Sequence, residues 1–158
     1  WDNNTGGTMR FFENVIQYKS GAKVYAVLKT DTSATGDDYI YYYSSLYTLK
    51  AGKHTYYLAV YKGIFSSKDM GQGIQVFSVE NGKLNQDTRL IKTGSGLHSK
   101  LYYNYDLSVS NDKIADQDIH FNSTLNTITL PVVNGAGKVT QARITYKFTG
   151  QYFEKEKN

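Results

Sequence analysis

The segment 39–61, YIYYYSSLYTLKAGKHTYYLAVY, holds eight of the 15 tyrosines in a chain of 158 residues. Tyrosine is a good strand former because its broad ring fits a pleated, half-buried surface. Two aromatic and β-branched runs flank Ala51, Gly52 and Lys53, the pattern of a hairpin. On the first run, a period of two places Ile40, Tyr42 and Leu46 on one face. Tyr39, Tyr41, Tyr43 and Tyr47 fall on the other, and Tyr57 and Tyr61 of the returning run can oppose them.

The same period continues along the chain. In residues 23–30, Val24, Ala26 and Leu28 alternate with Tyr25, Val27 and Lys29. Residues 74–80 break alternation at Val76 and Phe77, which predicts a bulge or burial on both faces. Asn81-Gly82 is the strongest short turn signal present. Short strands are expected at 89–92, 100–107 and 119–121. Residues 127–133 turn Ile128, Leu130 and Val132 inward, and 139–149 do the same with Ile144, Tyr146 and Phe148. Pro131 lacks an N–H and so implies an edge or a bulge. Residues 31–38 read as an exposed loop and 69–73 as a flexible connector. The spacing of Met9, Phe12, Val15 and Ile16 predicts one short helix over 9–18. The expected fold is therefore all-β: an antiparallel sandwich or barrel of eight to ten short strands, with one short N-terminal helix. Residues 1–153 read as a single domain and 154–158 as a charged, frayed tail.

Composition narrows the function. With no cysteine there are no disulfides, thiolate metal sites or cysteine nucleophiles. No stretch approaches the ~20 apolar residues needed to span a bilayer as a helix. The net charge is +4, but the lysines are dispersed and outnumber Arg10, Arg89 and Arg143 fivefold, which argues against a nucleic-acid groove. Because Trp1 stands where a methionine would, a processed chain that has lost an export signal is expected.

The runs ITLPVV (128–133), GKVT (137–140) and ITYKFTGQYF (144–153), with LYTLKAGKHTYYL (46–58) and QVFSVENGKL (75–84), resemble a group of uncharacterised exported β-domains of Gram-negative bacteria. The resemblance implies an all-β fold and a periplasmic or secreted location. It implies no activity and no site residues.

Catalytic motifs are weak. Ser95 lies between Gly94 and Gly96, three residues before His98, without the Gly-x-Ser-x-Gly of a nucleophile elbow, and reads as a solvated loop. His54, His98 and His120 are not at zinc-ligand spacing. Asp112, Asp116 and Asp118 form the one weak calcium candidate, although the EF-hand glycine and distal glutamate are missing. Asp37 and Asp38 are a second acidic pair. No cofactor is implied. The expectation is a non-enzymatic binding or structural module that contacts a protein or a glycan through Tyr39, Tyr41, Tyr43, Tyr47, Tyr57 and Tyr61. The alternative is a glycan-directed hydrolase whose carboxylates converge only in the fold.

Overall fold

A computed structural model describes residues 11–29, 41–110 and 118–157. Strands β1 (Asn14–Ser20) and β2 (Lys23–Lys29) pair antiparallel as a two-stranded ribbon. β3 (Tyr41–Ala51), β4 (His54–Ile64) and β5 (Asp69–Glu80) form an antiparallel meander. The second edge of β5 is shared by β6 (Lys83–Asn85) and β9 (Lys100–Asp106), which completes a five-stranded sheet. The remaining strands are β7 (Ile91–Thr93), β8 (Gly96–His98), β10 (His120–Asn122), β11 (Thr127–Val133), β12 (Val139–Phe148) and β13 (Phe153–Lys155). They build a six-stranded sheet in the order β10-β11-β12-β13-β7-β8.

The fold is all-β, with no helix among the described residues, and the two larger sheets pack face to face. Leu49, Leu58, Val60, Ile74 and Val76 of the five-stranded sheet meet Phe121, Ile128, Leu130, Tyr146 and Phe153 of the six-stranded one. Burying this many large apolar side chains is the main favourable term, at roughly 1.5–3 kcal/mol for each one fully buried. β5 is buried on both faces from Gly71 to Ser78, in unbroken register with β4, so the adjacent Val76 and Phe77 mark two-sided burial and not a bulge. Pro131 does sit at a bulge: the β11–β12 register shifts between Pro131 and Val133. Asn81 and Gly82, with φ of 51° and 79°, close the β5–β6 hairpin in the left-handed conformation that asparagine and glycine tolerate.

Three expectations are corrected. The segment 9–18 is not helical where it is described: Asn14 to Tyr18 belong to β1. A short apolar run fits either period, and seven backbone pairings with β2 settle it as strand. Residues 69–73 are no connector but the first half of β5. The tail is not frayed at its start, because Glu154 and Lys155 lie in β13 between β12 and β7, anchored by the fully buried Phe153. The loop expected at 31–38 lies outside the described residues. Among those described, no helix is long and apolar enough to cross a membrane.

Candidate functional site

The tyrosine run does not present one continuous face. The β3–β4 register shifts between Tyr43 and Ser45, so Ser44 is an extra residue and side-chain alternation inverts after it. Tyr41 and Tyr43 share a face with Tyr57 and Tyr61, as expected. Tyr47 does not. It points into the sandwich, where its ring meets Phe121 at 5.7 Å. Leu46 takes the opposite course: it joins the tyrosine face and is 68% exposed. Tyr39 lies outside the described residues.

Packing of the tyrosine face depends on two glycines. A Cβ on Gly73 would collide with the Tyr61 ring and come within 2.7 Å of the Leu101 carbonyl oxygen. One on Gly71 would lie 2.8 Å from the Phe65 ring. The rings of Tyr61 and Phe65 thus fill the space these residues leave open. Tyr41 and Tyr43 pack edge-on against Tyr61, with centroids 5.0 and 6.2 Å away. The Tyr43 hydroxyl donates to Gln75 Oε1 at 2.9 Å, and Gln75 Nε2 donates to the Gln86 carbonyl at 2.8 Å. Tyr61 is only 7% exposed, so this end of the face is largely packing.

Across the rest of the face runs the ribbon. At one end the Phe12 ring lies tilted against Tyr42, centroids 4.7 Å apart, and Asn14 Nδ2 donates to the Tyr41 carbonyl at 2.7 Å. At the other, Ser20 Oγ lies beside Gly82. β1 therefore spans the sheet from its β3 edge to the β5–β6 turn. The ribbon's strands approach each other far more closely than either approaches any other strand. Between β1 and the sheet lies an open groove of about 560 Å³. Its floor takes one or two side chains from each strand crossed: Tyr43 and Leu46, Tyr57 and Ala59, Phe77 and Val79, and Leu84. The β1 wall is formed by Ile16 and Tyr18, on the side of the strand that Asn14 and Ser20 turn to the sheet, and Ser44 and Ser45 stand at the bulge. Among the described lining residues Lys19 alone is charged.

The ribbon residues were missed as site residues because their role needs a contact between distant segments. The apolar side of β2 stands largely exposed. Val24 is 68% exposed and Leu28 50%, although their alternation resembles that of an inward face.

The other candidates are structural in character. Asp118, the described member of the acidic triple, has both oxygens engaged: Lys62 Nζ donates to Oδ2 at 2.7 Å and Gln72 Nε2 to Oδ1 at 2.5 Å. Burial raises its pKa, but these two hydrogen bonds and the Lys62 charge outweigh it and hold the carboxyl below the ordinary aspartate range. A calcium ion at this carboxylate would have to displace Lys62. Asp112 and Asp116, like Asp37 and Asp38, lie outside the described residues. The neighbouring Tyr105 hydroxyl is pushed upward by burial, partly offset by a hydrogen bond to Gln72. Among the described residues no three metal-ligating side chains converge. Ser95 Oγ does lie 2.9 Å from His98 Nε2. The pair stands exposed at the β7–β8 turn, Thr93 Oγ1 shares the Ser95 hydroxyl at 3.0 Å, and among the described residues no carboxylate orients the imidazole. That geometry is a turn contact and not a triad. His54 is exposed on its strand and stacks against Tyr56 at 6.1 Å, and His120 is exposed on β10. No family model, curated protein or solved structure matches the chain.

Proposed function

We propose that the chain is a non-enzymatic binding module whose ligand occupies the groove between the β1–β2 ribbon and the tyrosine-bearing face of the five-stranded sheet. The observation that carries this reading is the groove itself. Its volume of about 560 Å³ falls within the range of small-molecule sites, and its floor is mainly aliphatic and aromatic. An exposed apolar side chain, Leu46, stands at its margin. A ribbon whose strands hold each other far more closely than they hold the sheet suits a cover that a ligand can lift.

The partners raised by the tyrosines, a protein or a glycan, separate at this surface. Sugar recognition uses open ring faces flanked by polar groups. Tyr41 and Tyr43 instead pack edge-on against Tyr61, and the floor of the groove is mainly aliphatic and aromatic. An apolar chain is the better match. Hydrolysis of a glycan there would need two facing carboxyl groups, and the described lining holds no carboxylate. The proposal keeps the periplasmic or secreted location, which rests on the likeness of the strand-and-turn texture to exported domains.

Nile red, an uncharged dye that brightens in apolar surroundings, tests the reading. It is expected to bind saturably, and Leu46→Ser is expected to weaken binding about tenfold, the effect of losing most of one leucine contact. A folded protein that leaves the dye dark, or binds it equally well with serine at 46, would overturn the groove as the site.

A further inference from the structure

We infer that the groove takes an extended segment of a partner polypeptide, which adds as an antiparallel third strand to the free edge of β1 and turns every second side chain onto the apolar floor. The inference rests on the groove being the binding site and adds the class of ligand. Three observations lead to it.

The first is the backbone of β1. Gly21, with φ of 61°, and Ala22 form a two-residue turn, so Ser20 and Lys23 flank it as a hydrogen-bonded pair. Such pairs alternate along the ribbon, so Tyr18 bonds to Tyr25 and Ile16 to Val27. The N–H and C=O groups of Val15, Gln17 and Lys19 therefore point off the other edge of β1. Among the described residues nothing hydrogen-bonds to them. All five residues from Val15 to Lys19 line the groove, and no described residue of β2 does. The free edge thus faces the groove. Ile16 and Tyr18 reach it with side chains; Val15, Gln17 and Lys19, whose side chains are exposed on the outer face, reach it with main chain.

A polypeptide supplies what this edge lacks. An alkyl chain laid along it would take water from the free N–H and C=O groups and return no hydrogen bond, at about 1–3 kcal/mol for each group left unsatisfied. A peptide backbone pairs with them, and a ribbon that is marginal as two strands becomes three-stranded.

The second is the floor. In an antiparallel addition, residues opposite Ile16 and Tyr18 turn their side chains to the sheet, onto Leu46, Ala59, Phe77 and Val79. Residues opposite Val15, Gln17 and Lys19 turn theirs to solvent. The segment that fits alternates, apolar toward the floor and polar away. The floor crosses four strands, β3 to β6, at about 4.8 Å spacing, which is roughly 14 Å or four to five extended residues. The third is charge. Lys19 stands on the outer face opposite Val24, and among the described residues no carboxylate pairs with it. An acidic side chain directly opposite Lys19 on the added strand lies within cross-strand reach and fixes the register.

The probe is a capped seven-residue peptide with valine at odd positions, glutamate at the second and threonine at the fourth and sixth. It is expected to displace Nile red. Methylating its fourth and sixth amide nitrogens, which face β1, is expected to weaken it about a hundredfold, the effect of two lost hydrogen bonds. Methylating the third and fifth, which face away, is expected to leave most of the affinity. On the protein, Gln17→Pro removes one free-edge N–H and none that β2 uses, and is expected to weaken the peptide about tenfold. Gln17→Ala keeps the N–H and should bind as before. Circular dichroism checks folding, and if proline disturbs the ribbon the two methylated peptides decide on the unaltered protein. Lys19→Glu should weaken the peptide up to about fivefold, and lysine in place of its glutamate should restore binding to that variant. Equal binding of the two methylated peptides, or a folded Gln17→Pro variant that binds as tightly as Gln17→Ala, would overturn strand addition. Bound Nile red that the peptide leaves in place, but that dodecanol displaces, would overturn the polypeptide in favour of a small apolar ligand. A protein that binds no Nile red at all would remove the site on which the inference stands.

Discussion

Gly73 lacks a side chain at the one place in β5 where the Tyr61 ring crosses the strand, and the pair shows how this protein uses its tyrosines. The glycine loses strand propensity and conformational entropy. The ring laid over it recovers buried area and shields the backbone, and Tyr41 and Tyr43 then pack against the ring. A methyl group here meets the Leu101 carbonyl as well as the ring, and a backbone atom cannot swing away. Gly73→Ala is therefore expected to cost about 1–3 kcal/mol in chemical unfolding, as overpacking does. An unchanged midpoint would mean that the ring is loosely held. The glycine spacing of 69–73 was visible as a turn-like composition, and that is why the segment was expected to be a connector. Its partner rings lie on β4 and in the following loop, and composition alone does not reveal that they cover the glycines.

Among the elements, β3 departs furthest from its expected pattern. Strict alternation over 39–49 puts Tyr47 with Tyr41 and Tyr43. The extra residue at Ser44 sends Tyr47 into the core and Leu46 into the groove. A bulge is set by how a strand fits its partner, here the β4 residues Val60 and Tyr61, and two adjacent serines do not announce it. Deleting Ser44 would bring Tyr43 and Ser45 into succession opposite Tyr61 and Val60, so the other β3 side chains keep their faces, whereas deleting Thr48 forces Leu46 and Tyr47 to exchange faces or Leu49 to leave the core. Removal of Ser44 is expected to change stability little and to preserve Nile red binding, and removal of Thr48 to lower stability by about 2–4 kcal/mol, comparable to truncating a buried leucine, and to weaken dye binding. Urea unfolding and dye titration read the two effects separately. A loss on removal of Ser44 as large as on removal of Thr48 would show that Ser44 is not the extra residue. By contrast, the hairpin turns at Gly52 and at Asn81-Gly82 fall where they were expected, because a turn is fixed by residues adjacent in sequence.

For the whole molecule, closure depends on a pairing that no local pattern foretells. β13 runs parallel to β7, with Phe153 opposite Ile91 and Glu154 opposite Lys92. Phe153 contacts Phe121 and Phe148 in the core, so the last described strand ties the β7–β8 hairpin to the β10–β12 meander. Phe153→Ala is expected to destabilise the domain by about 3–5 kcal/mol. Glu154→Gln, which removes only an exposed pair with Lys92, is expected to change little. Similar losses for the two variants would contradict the placement of β13 at the centre of its sheet. The period of two and the turn residues were enough to establish an all-β domain and most of its strands, since both reflect sterics and propensity between near neighbours. Three matters depended on contacts between distant segments: which face of β3 turned inward, which rings covered Gly71 and Gly73, and where the ribbon came to rest. Register, close packing and the groove they leave follow from long-range pairing, in which the shift of a strand by one residue exchanges its inside for its outside.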